Sequence, residues 1–140
     1  MALAQARFTD LLSQAEQRLA RRIERVLKPA SLTLEQWRVL SLLTDGDGHP
    51  MSQIAAHALV PPPTLTKLVD KLVDRALVYR RVDDADRRRI LVFLSARGRT
   101  LHRKLDVAVR LEEGGIVEQL GSEDADDFMA LLDRMLKLLD

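Results

Sequence analysis

Three consecutive arginines, Arg87-Arg88-Arg89, follow Asp86 in a short polar stretch of the sequence. Adjacent guanidinium groups repel one another unless an anion meets them, and a narrow loop that carries arginines can enter the minor groove of DNA. In an extended segment Asp86 and Arg88 share a face, so the carboxylate would orient the guanidinium. The alternative is a solubilising loop whose arginine stems pack on their neighbours.

A second group of polar residues lies on a helix predicted over 63–75. The apolar residues of this segment recur at helical spacing on one face, which leaves Thr64, Thr66, Lys67 and Lys71 at the helix start or on the other face. Hydroxyl and ammonium groups in such positions can contact base edges or phosphates. The helix N-terminus also favours a nearby phosphate. The pattern predicts a helix that docks in the major groove of DNA.

Two acidic residues, Asp70 and Asp74, interrupt this polar face. They oppose contact with a polyanion, although lysine and arginine side chains three or four residues away can offset each of them. An ordinary amphipathic helix with a solvated outer face is the alternative interpretation. The predicted DNA-binding residues are Ser52, Pro62, Thr64, Thr66, Lys67, Lys71, Asp86, Arg87, Arg88 and Arg89.

Catalytic and metal-binding patterns are missing from the sequence. Without cysteine there is no thiol nucleophile, disulfide or zinc finger. The three histidines, His49, His57 and His102, lack a partner at metal-ligand spacing. The run 45–48 (DGDG) is similar to the start of a calcium loop, but alanine stands at position 56, where the bidentate glutamate is needed. We therefore predict no enzyme, no cofactor and no metal site.

Composition indicates one soluble domain of 140 residues. Apolar residues make up 46% of the chain, enough for a core, whereas 31% charged residues are too many for a membrane protein. No apolar run approaches the roughly 18 residues of a membrane span, and the start of the chain lacks a secretory signal, so we predict a cytoplasmic protein.

Charge is unevenly distributed although the net charge is only +1. Residues 61–110 carry 13 lysines and arginines against 6 aspartates and glutamates, while residues 111–140 carry 2 against 9. A basic middle segment favours a polyanionic partner. Random fluctuation of charge along the chain is the alternative.

Hydrophobic periodicity predicts the elements that must position these residues. Helices are expected over 3–27, 34–43, 52–59, 63–75, 96–113 and 122–139, and strands over 77–82 and 90–94. The order is helix, helix, short helix, helix, hairpin, helix, helix. Its central part is a helix-turn-helix followed by a β-hairpin, so the predicted fold class is mainly α with a small β-hairpin wing.

Several local signals fix the expected helix ends. Thr33 and Gln36 fit a capping box, with a hydrophobic staple from Leu32 to Trp37 across it. The last of the three prolines, Pro63, is expected as the first residue of its helix. Ser95 is expected to cap the long helix that follows the hairpin, and Ser122 to open the final one. A kink or break is expected at the glycines at 114–115, because each costs a helix about 1 kcal/mol relative to alanine.

Three segments resemble the multiple antibiotic resistance regulator (MarR) family. LTLEQWRVL at 32–40 is similar to the opening of the family's sequence pattern, and TLTKLVDKL at 64–72 to its recognition helix. DRR at 86–88 together with LSARG at 94–98 is similar to its wing. Each motif alone is weakly specific, but three in order at matching spacing are fairly specific.

The resemblance implies a two-fold dimer that binds a pseudopalindromic operator, and often a small phenolic or other lipophilic effector. Three positions depart from the family pattern. Ala76 stands where a glycine is usual, which suggests a different helix exit, because alanine tolerates positive φ less well. Pro61 and Pro63 replace serines and remove possible DNA contacts, whereas Ser95 in place of threonine keeps a capping hydroxyl.

The first and last helices carry leucine-rich stripes and fall outside the predicted winged helix. Burying these stripes across a two-fold axis would stabilise a dimer by about 25 cal/mol per Å² of apolar area. Packing on the chain's own winged helix is the alternative. We predict one domain over 1–140, with a winged helix over 32–98 between dimerisation segments 1–30 and 100–140. The predicted interface residues are Phe8, Leu11, Leu12, Phe128, Leu131, Met135 and Leu138.

Trp37, the single tryptophan, is a candidate to line an effector cleft, although its role in the staple is the simpler account. Two functions follow from these patterns. The first is a dimeric, sequence-specific transcriptional regulator, most simply a repressor released by a small lipophilic or phenolic effector. The second is a winged-helix interaction module whose basic face meets an acidic protein. Preference for particular duplex sequences separates them, because each mismatched base pair costs about 1–3 kcal/mol in base readout.

Overall fold

The computed structural model describes residues 7–140, and the predicted start of the first helix at positions 3–6 lies outside them. The bounds are α1 (Phe8–Leu27), α2 (Leu34–Leu42), β1 (His49–Pro50), α3 (Met51–Ala58), α4 (Pro62–Asp74), β2 (Val78–Val82), β3 (Ile90–Leu94), α5 (Ala96–Leu120) and α6 (Ser122–Leu139). The predicted fold class, a winged helix-turn-helix flanked by terminal helices, is confirmed. Within 7–140, no helix is both long and apolar enough to cross a membrane.

The start of α2 follows the predicted capping box. The Gln36 N–H donates to Thr33 Oγ1 and the Thr33 N–H donates to Gln36 Oε1, each at 3.1 Å. Gln36 is thereby a buried polar residue whose side chain is satisfied. Leu32 and Trp37 are both buried at the two positions of a hydrophobic staple. This local geometry sets the entry angle of the chain into the core.

The helix-turn-helix consists of α3 and α4, and α4 begins one residue earlier than expected. Pro61 is extended, with φ −61° and ψ 150°, and serves as the N-cap, so the expectation that Pro63 begins the helix was wrong. The first turn of a helix has no internal partner for its N–H groups. Pro62 and Pro63 can therefore both occupy it without losing a hydrogen bond.

The hairpin from β2 to β3 belongs to a three-stranded antiparallel sheet of order β1-β3-β2. Val78 pairs with Leu94 and Val82 with Ile90 along the hairpin, which we call the wing. His49 pairs with Val92 in the short strand β1. Sequence patterning missed β1, because two residues carry no alternation of apolar and polar positions.

The chain leaves α4 through a residue in the left-handed backbone conformation, even though that residue is alanine. Ala76 has φ +57°. Its N–H donates to the Val73 carbonyl at 2.8 Å, and the Leu77 N–H donates to the Leu72 carbonyl at 3.0 Å. These two bonds form a Schellman motif, which usually has glycine at the left-handed position. The expected change of helix exit is therefore wrong.

Ser95 joins this exit to the start of α5. Its hydroxyl accepts from the Gly98 N–H at 2.9 Å, as expected of an N-cap, and donates to the Ala76 carbonyl at 2.6 Å. The Ser95 N–H also donates to the Leu77 carbonyl at 3.0 Å. One residue thus connects the end of α4, the first residues after it and the long helix.

One expectation about the terminal helices is corrected, and the expected opening of the last helix at Ser122 is confirmed. α5 continues without interruption through Gly114 and Gly115 to Leu120, so the expected break is absent. The cost of two glycines is small beside the hydrogen bonds of a long helix. Ser122 is the first residue of α6, but the N-cap is Gly121 and no side chain caps this end.

The core joins the helix-turn-helix, the wing and α5, and it also includes part of α1. Ile23 and Leu27 of α1 are 4% and 0% exposed, so the C-terminal half of α1 packs inside the winged-helix core rather than outside it. Other large members of this cluster are Trp37, Val39, Leu40, Leu43, Ile54, Leu65, Val69, Leu72, Leu77, Val78, Val92, Leu94, Leu105 and Val109. The outer faces of α4 and the wing remain available to solvent.

Candidate nucleic-acid interface

The outer face of α4 presents the predicted polar residues to solvent. Thr64, Thr66, Lys67 and Lys71 are exposed, while the opposite face is anchored by a buried set, Leu65, Val69 and Leu72. The Thr66 hydroxyl donates to the Pro62 carbonyl at 3.2 Å, which leaves its oxygen free to accept from a base or water. Ser52 on α3 and Pro62 are exposed as well. The structure thus places this set on the two helices of the helix-turn-helix.

Asp70 on α4 forms an ion pair with Arg80 on β2. We expected the charge of Asp70 to be offset by lysines or by Arg75 on the same helix, but its partner lies on the wing. Arg75 instead donates to the carbonyls of Ala30 and Ser31, at 2.8 and 3.0 Å. The Asp70–Arg80 pair neutralises an acidic side chain on the outer face of α4 and holds that face beside the wing.

The tip of the wing is a turn rather than an extended segment. Asp86 Oδ1 accepts from the backbone N–H and from Nε of Arg88, at 3.1 and 3.2 Å. The Arg89 N–H donates to the Asp86 carbonyl at 2.9 Å, which closes the turn. The predicted orientation of Arg88 by Asp86 is therefore present, but it arises from the turn. These hydrogen bonds from Arg88 lower the pKa of the Asp86 carboxyl.

The arginines of the tip remain accessible despite these contacts. The Arg88 side chain is 92% exposed, and Arg87 is exposed too. Arg89 forms an ion pair with Asp83 at 3.3 Å and keeps about half of its side chain exposed. The base of the wing is stiffened by Tyr79 and Phe93, whose rings stack with centroids 5.5 Å apart. The tip is thus a fixed turn with guanidinium groups that can reach phosphates or a groove.

Trp37 lies beside a cavity between the winged helix and the terminal helices. The Trp37 cavity has a volume of about 260 Å³ and is lined by Glu16, Leu19, Ala20, Ile23, Leu34, Trp37, Arg38, Val109 and Glu113. Its apolar and aromatic wall with a few polar groups is typical of a small-molecule site. Arg38 also donates to the Ala58 carbonyl at 3.5 Å, at the end of α3. The cavity therefore lies between α1, α2 and α5, and Arg38 connects its wall to the end of α3.

His102 on α5 supports the Trp37 ring. The two rings stack with centroids 4.4 Å apart and planes 7° from parallel. His102 Nε2 is 3.1 Å from the hydroxyl oxygen of Ser41 on α2. Burial lowers the pKa of His102, which favours the neutral ring. No sequence pattern predicts this contact, because it joins residues that are far apart in the chain.

The predicted dimer residues lie on adjacent faces of α1 and α6. Five of them, Phe8, Leu12, Phe128, Leu131 and Met135, line one apolar cavity of about 360 Å³ together with Leu132. Leu11 and Leu138 do not line this cavity, and Leu138 is 83% exposed. So large an apolar surface on terminal helices is typical of an interaction site.

No group of three or more histidine, cysteine, aspartate or glutamate residues in the described part of the chain could hold a metal ion. His49 has other partners. Its Nε2 lies 2.6 Å from Asp45 Oδ2, and its Nδ1 lies 3.0 Å from Gln53 Oε1. The hydrogen bond with Gln53, and then those with Asp45, raise the pKa of His49 against the effect of burial.

The exposed polar face of α4, held against an arginine-tipped hairpin, is that of a winged helix-turn-helix DNA-binding protein. The MarR family model matches residues 30–89. The chain belongs to the MarR family.

Two curated relatives are named as transcriptional regulators. The HTH-type transcriptional regulator FarR of Neisseria gonorrhoeae is 29% identical over 129 residues, which cover 92% of this chain and 88% of that protein. The HTH-type transcriptional repressor Rv2887 of Mycobacterium tuberculosis is 26% identical over 113 residues, 81% of each chain. The class of protein is therefore a transcription regulator and not an enzyme, in agreement with the sequence analysis.

Solved structures of similar proteins include ligand and DNA complexes. NadR in complex with 4-hydroxyphenylacetate has a TM-score of 0.80 and 30% identity, with 96% of this chain and 92% of that chain covered. The Staphylococcus aureus MepR–DNA complex has a TM-score of 0.82 and 26% identity, with 94% and 98% covered. Rv2887 in complex with salicylic acid has a TM-score of 0.76 and 26% identity, with 93% and 96% covered.

Proposed function

We propose that this chain is a dimeric, sequence-specific repressor that leaves its operator when a small lipophilic or phenolic ligand binds. In this proposal residues 32–98 bind DNA and segments 1–30 and 100–140 form the dimer. The proposed place of action is the cytoplasm. The observation that carries the proposal is the Asp70–Arg80 ion pair, because it holds the exposed face of α4 beside the wing.

DNA binding in this proposal uses both parts of the winged helix. Thr64, Thr66, Lys67 and Lys71 on α4 enter the major groove, with Ser52 and Pro62 near the flanking phosphates. The turn that carries Asp86, Arg87, Arg88 and Arg89 meets the adjacent minor groove. The DNA complex of the similar protein MepR supports this choice of partner. No observation of this chain favours the alternative of an acidic protein partner.

The experiment that tests sequence-specific binding is selection from random genomic duplex fragments, followed by sequencing of the retained pool. We expect enrichment of a pseudopalindrome whose half-sites are about one helical turn, or 10 base pairs, apart. Equal retention of all sequences would contradict the proposal and favour the protein-interaction function.

Dimerisation is supported by the apolar surface of α1 and α6. Phe8, Leu131 and Leu138 are more than half exposed in the single chain, and such residues are costly to leave in water. A two-fold axis would cover the same surface on both copies. Light scattering at micromolar concentration should therefore give twice the mass of 15.8 kDa. A monomer at that concentration would contradict this part of the proposal.

The ligand is proposed to occupy the Trp37 cavity. Small aromatic ligands are bound to the similar proteins NadR and Rv2887. A ligand between the winged helix and the terminal helices can change the spacing of the two recognition helices in a dimer. Titration with a panel of lipophilic phenols and aromatic acids should change the emission of the single tryptophan and weaken operator binding. Unchanged operator affinity across the panel would contradict effector control.

A further inference from the structure

We propose a second ligand site where the recognition helix α4 ends beside α5, an apolar groove that binds a lipophilic carboxylate. This α4–α5 groove has a volume of about 390 Å³ and is lined by Arg75, Leu77, Arg97, Thr100, Leu101 and Lys104. Its lining includes three cationic side chains and no carboxylate. It goes beyond the proposed function, because it shares no lining residue with the Trp37 cavity.

The cations of the groove are arranged along one face of α5. Arg97 and Lys104 are seven residues apart, about 10 Å along the axis, and Leu101 lies between them on the same face. Among residues 7–140, the side chains of Arg97 and Lys104 form no ion pair and no hydrogen bond. Both are exposed, so their charges can meet an anion without losing an existing partner.

The third cation has a different role. The Arg75 guanidinium donates to the carbonyls of Ala30 and Ser31 and is fixed by them. It adds positive charge to one end of the groove without contacting a ligand directly. Leu77, which is 2% exposed, and Leu101 provide the apolar surface beneath. No aromatic ring lines the groove, so an aliphatic chain fits its surface better than a stacked ring.

The Trp37 cavity has the opposite charge balance. Its lining carries Glu16 and Glu113 against a single Arg38, and that guanidinium already lies within 3.9 Å of Glu16. A carboxylate ligand would meet two like charges there. Charge complementarity therefore favours the α4–α5 groove over the Trp37 cavity for a ligand whose only polar group is a carboxylate.

Occupation of the groove would act at the connection between α4, the wing and α5. Leu77 is the residue whose N–H bonds to α4 and whose carbonyl accepts from Ser95 at the start of α5. A chain packed on Leu77 would contact this connection directly. The groove is therefore placed where a ligand can influence the setting of the recognition helix.

Calorimetric titration of the full chain tests the site with three probes that differ only in the head group: octanoate, 1-octanol and octylammonium. We expect saturable octanoate binding, weaker octanol binding and no octylammonium binding. Arg97→Gln or Lys104→Gln should lower octanoate affinity about tenfold, the usual effect of losing a hydrogen bond to a charged group. Arg103→Gln, an exposed cation on α5 outside the groove, is the matched control and should have no effect.

Tryptophan emission separates this site from the Trp37 cavity. Since Trp37 is the single tryptophan, octanoate in the α4–α5 groove should leave its emission unchanged, whereas a ligand in the cavity should alter it. The proposal would be overturned by quenching of Trp37 at the octanoate concentrations that give heat, by equal binding of the three probes, or by an equal loss in Arg103→Gln. The proposal would also be overturned if the wild-type chain bound no octanoate while the groove variants lost DNA binding. That result would assign these cations to DNA phosphates. None of these results bears on operator selection, which tests the proposed function separately.

Discussion

Gly98 on α5 is in close contact with the backbone of Leu77, the residue that follows the left-handed exit of α4. A Cβ at position 98 would lie 2.0 Å from the Leu77 carbonyl oxygen and 2.7 Å from a methyl carbon of Leu94. The same Leu77 carbonyl accepts from the Ser95 N–H. The glycine in the LSARG motif is therefore required by the close approach of two backbones, not by an unusual dihedral angle.

Gly98→Ala should lower the free energy of unfolding by about 2–3 kcal/mol, because the added methyl group forces the two backbones apart. Urea denaturation followed by circular dichroism measures the effect. Gly114→Ala is the control, since a Cβ at Gly114 meets no atom within 4 Å and alanine is the better helix former. Equal stability of wild type and Gly98→Ala would mean that the α5 start is not packed as described.

Ala76→Gly should raise the free energy of unfolding by about 0.5–1 kcal/mol. Alanine at φ +57° is strained by about 1–2 kcal/mol, and glycine removes that strain at an entropic cost of about 0.4–1 kcal/mol in the unfolded chain. Thermal and urea denaturation of the same variant should agree. A destabilised variant would show that residue 76 does not hold the left-handed conformation.

Arg88→Ala should weaken operator binding and reduce the slope of log affinity against log salt by about one unit, if its exposed guanidinium meets a phosphate. Asp86→Asn should weaken binding less, since it loosens the turn that orients Arg88 but leaves the charge. Fluorescence anisotropy at several salt concentrations measures both. Arg103→Ala removes the same charge away from the wing and serves as the control. Unchanged affinity in Arg88→Ala would contradict the role of the wing.

Leu131→Glu should shift the dimer toward monomer, because it places a carboxylate in the apolar surface shared by α1 and α6. Lys137→Glu introduces the same group on the polar face of α6, where Lys137 pairs with Asp133, and should leave the mass unchanged. Sedimentation equilibrium over a concentration series measures the association constant. Identical behaviour of the two variants would argue against an interface on these helices.

His102 and His49 should make the free energy of unfolding depend on pH in opposite directions. Burial lowers the pKa of His102 below its ordinary 6.5, so the unfolded chain binds this proton more tightly, although Asp106 partly opposes the shift. The contribution of His102 to the free energy of unfolding is complete above about pH 6.5. It is lost as the pH falls through the pKa of His102 in the folded chain. The raised pKa of His49 has the reverse effect. Its stabilisation is present below about pH 6.5 and is lost as the pH rises through the folded pKa.

Urea midpoints at pH 5.5 and 7.5 separate these contributions. His102→Phe keeps an aromatic ring beside Trp37 and should reduce the loss of stability at the lower pH. His49→Gln should increase that loss. A change in the same direction for both variants would contradict the assigned hydrogen bonds and burial.

Local signals in the sequence predicted the local structure well. The capping box at Thr33, the Ser95 cap and the two strands of the wing each depend on residues close in the chain, and the structure confirms them. Two mispredictions have different causes. The burial of Ile23 comes from contacts that no short window of sequence contains. α5 is unbroken because the hydrogen bonds of a long helix outweigh the local cost of two glycines.

The candidate interface was predictable in part for the same reason. Exposure of Thr64, Lys67 and the wing arginines follows from helix and turn patterns. The ion pair of Asp70 with Arg80 joins two elements, and the stack of Trp37 on His102 joins two others. Such contacts depend on how the helices pack, so their residue types alone could not reveal them.

The close packing of Gly98 on Leu77 ties the start of α5 to the end of the recognition helix and to the wing. A bend that alters the separation of two recognition helices meets less resistance further along α5, because a Cβ at Gly114 or Gly115 would meet no atom within 4 Å. The stretch from Ala96 to Gly114 is about 27 Å long at roughly 1.5 Å per residue. Acting as a lever arm, it would convert a bend of about 5° at the glycines into a displacement of about 2 Å at the DNA-binding end.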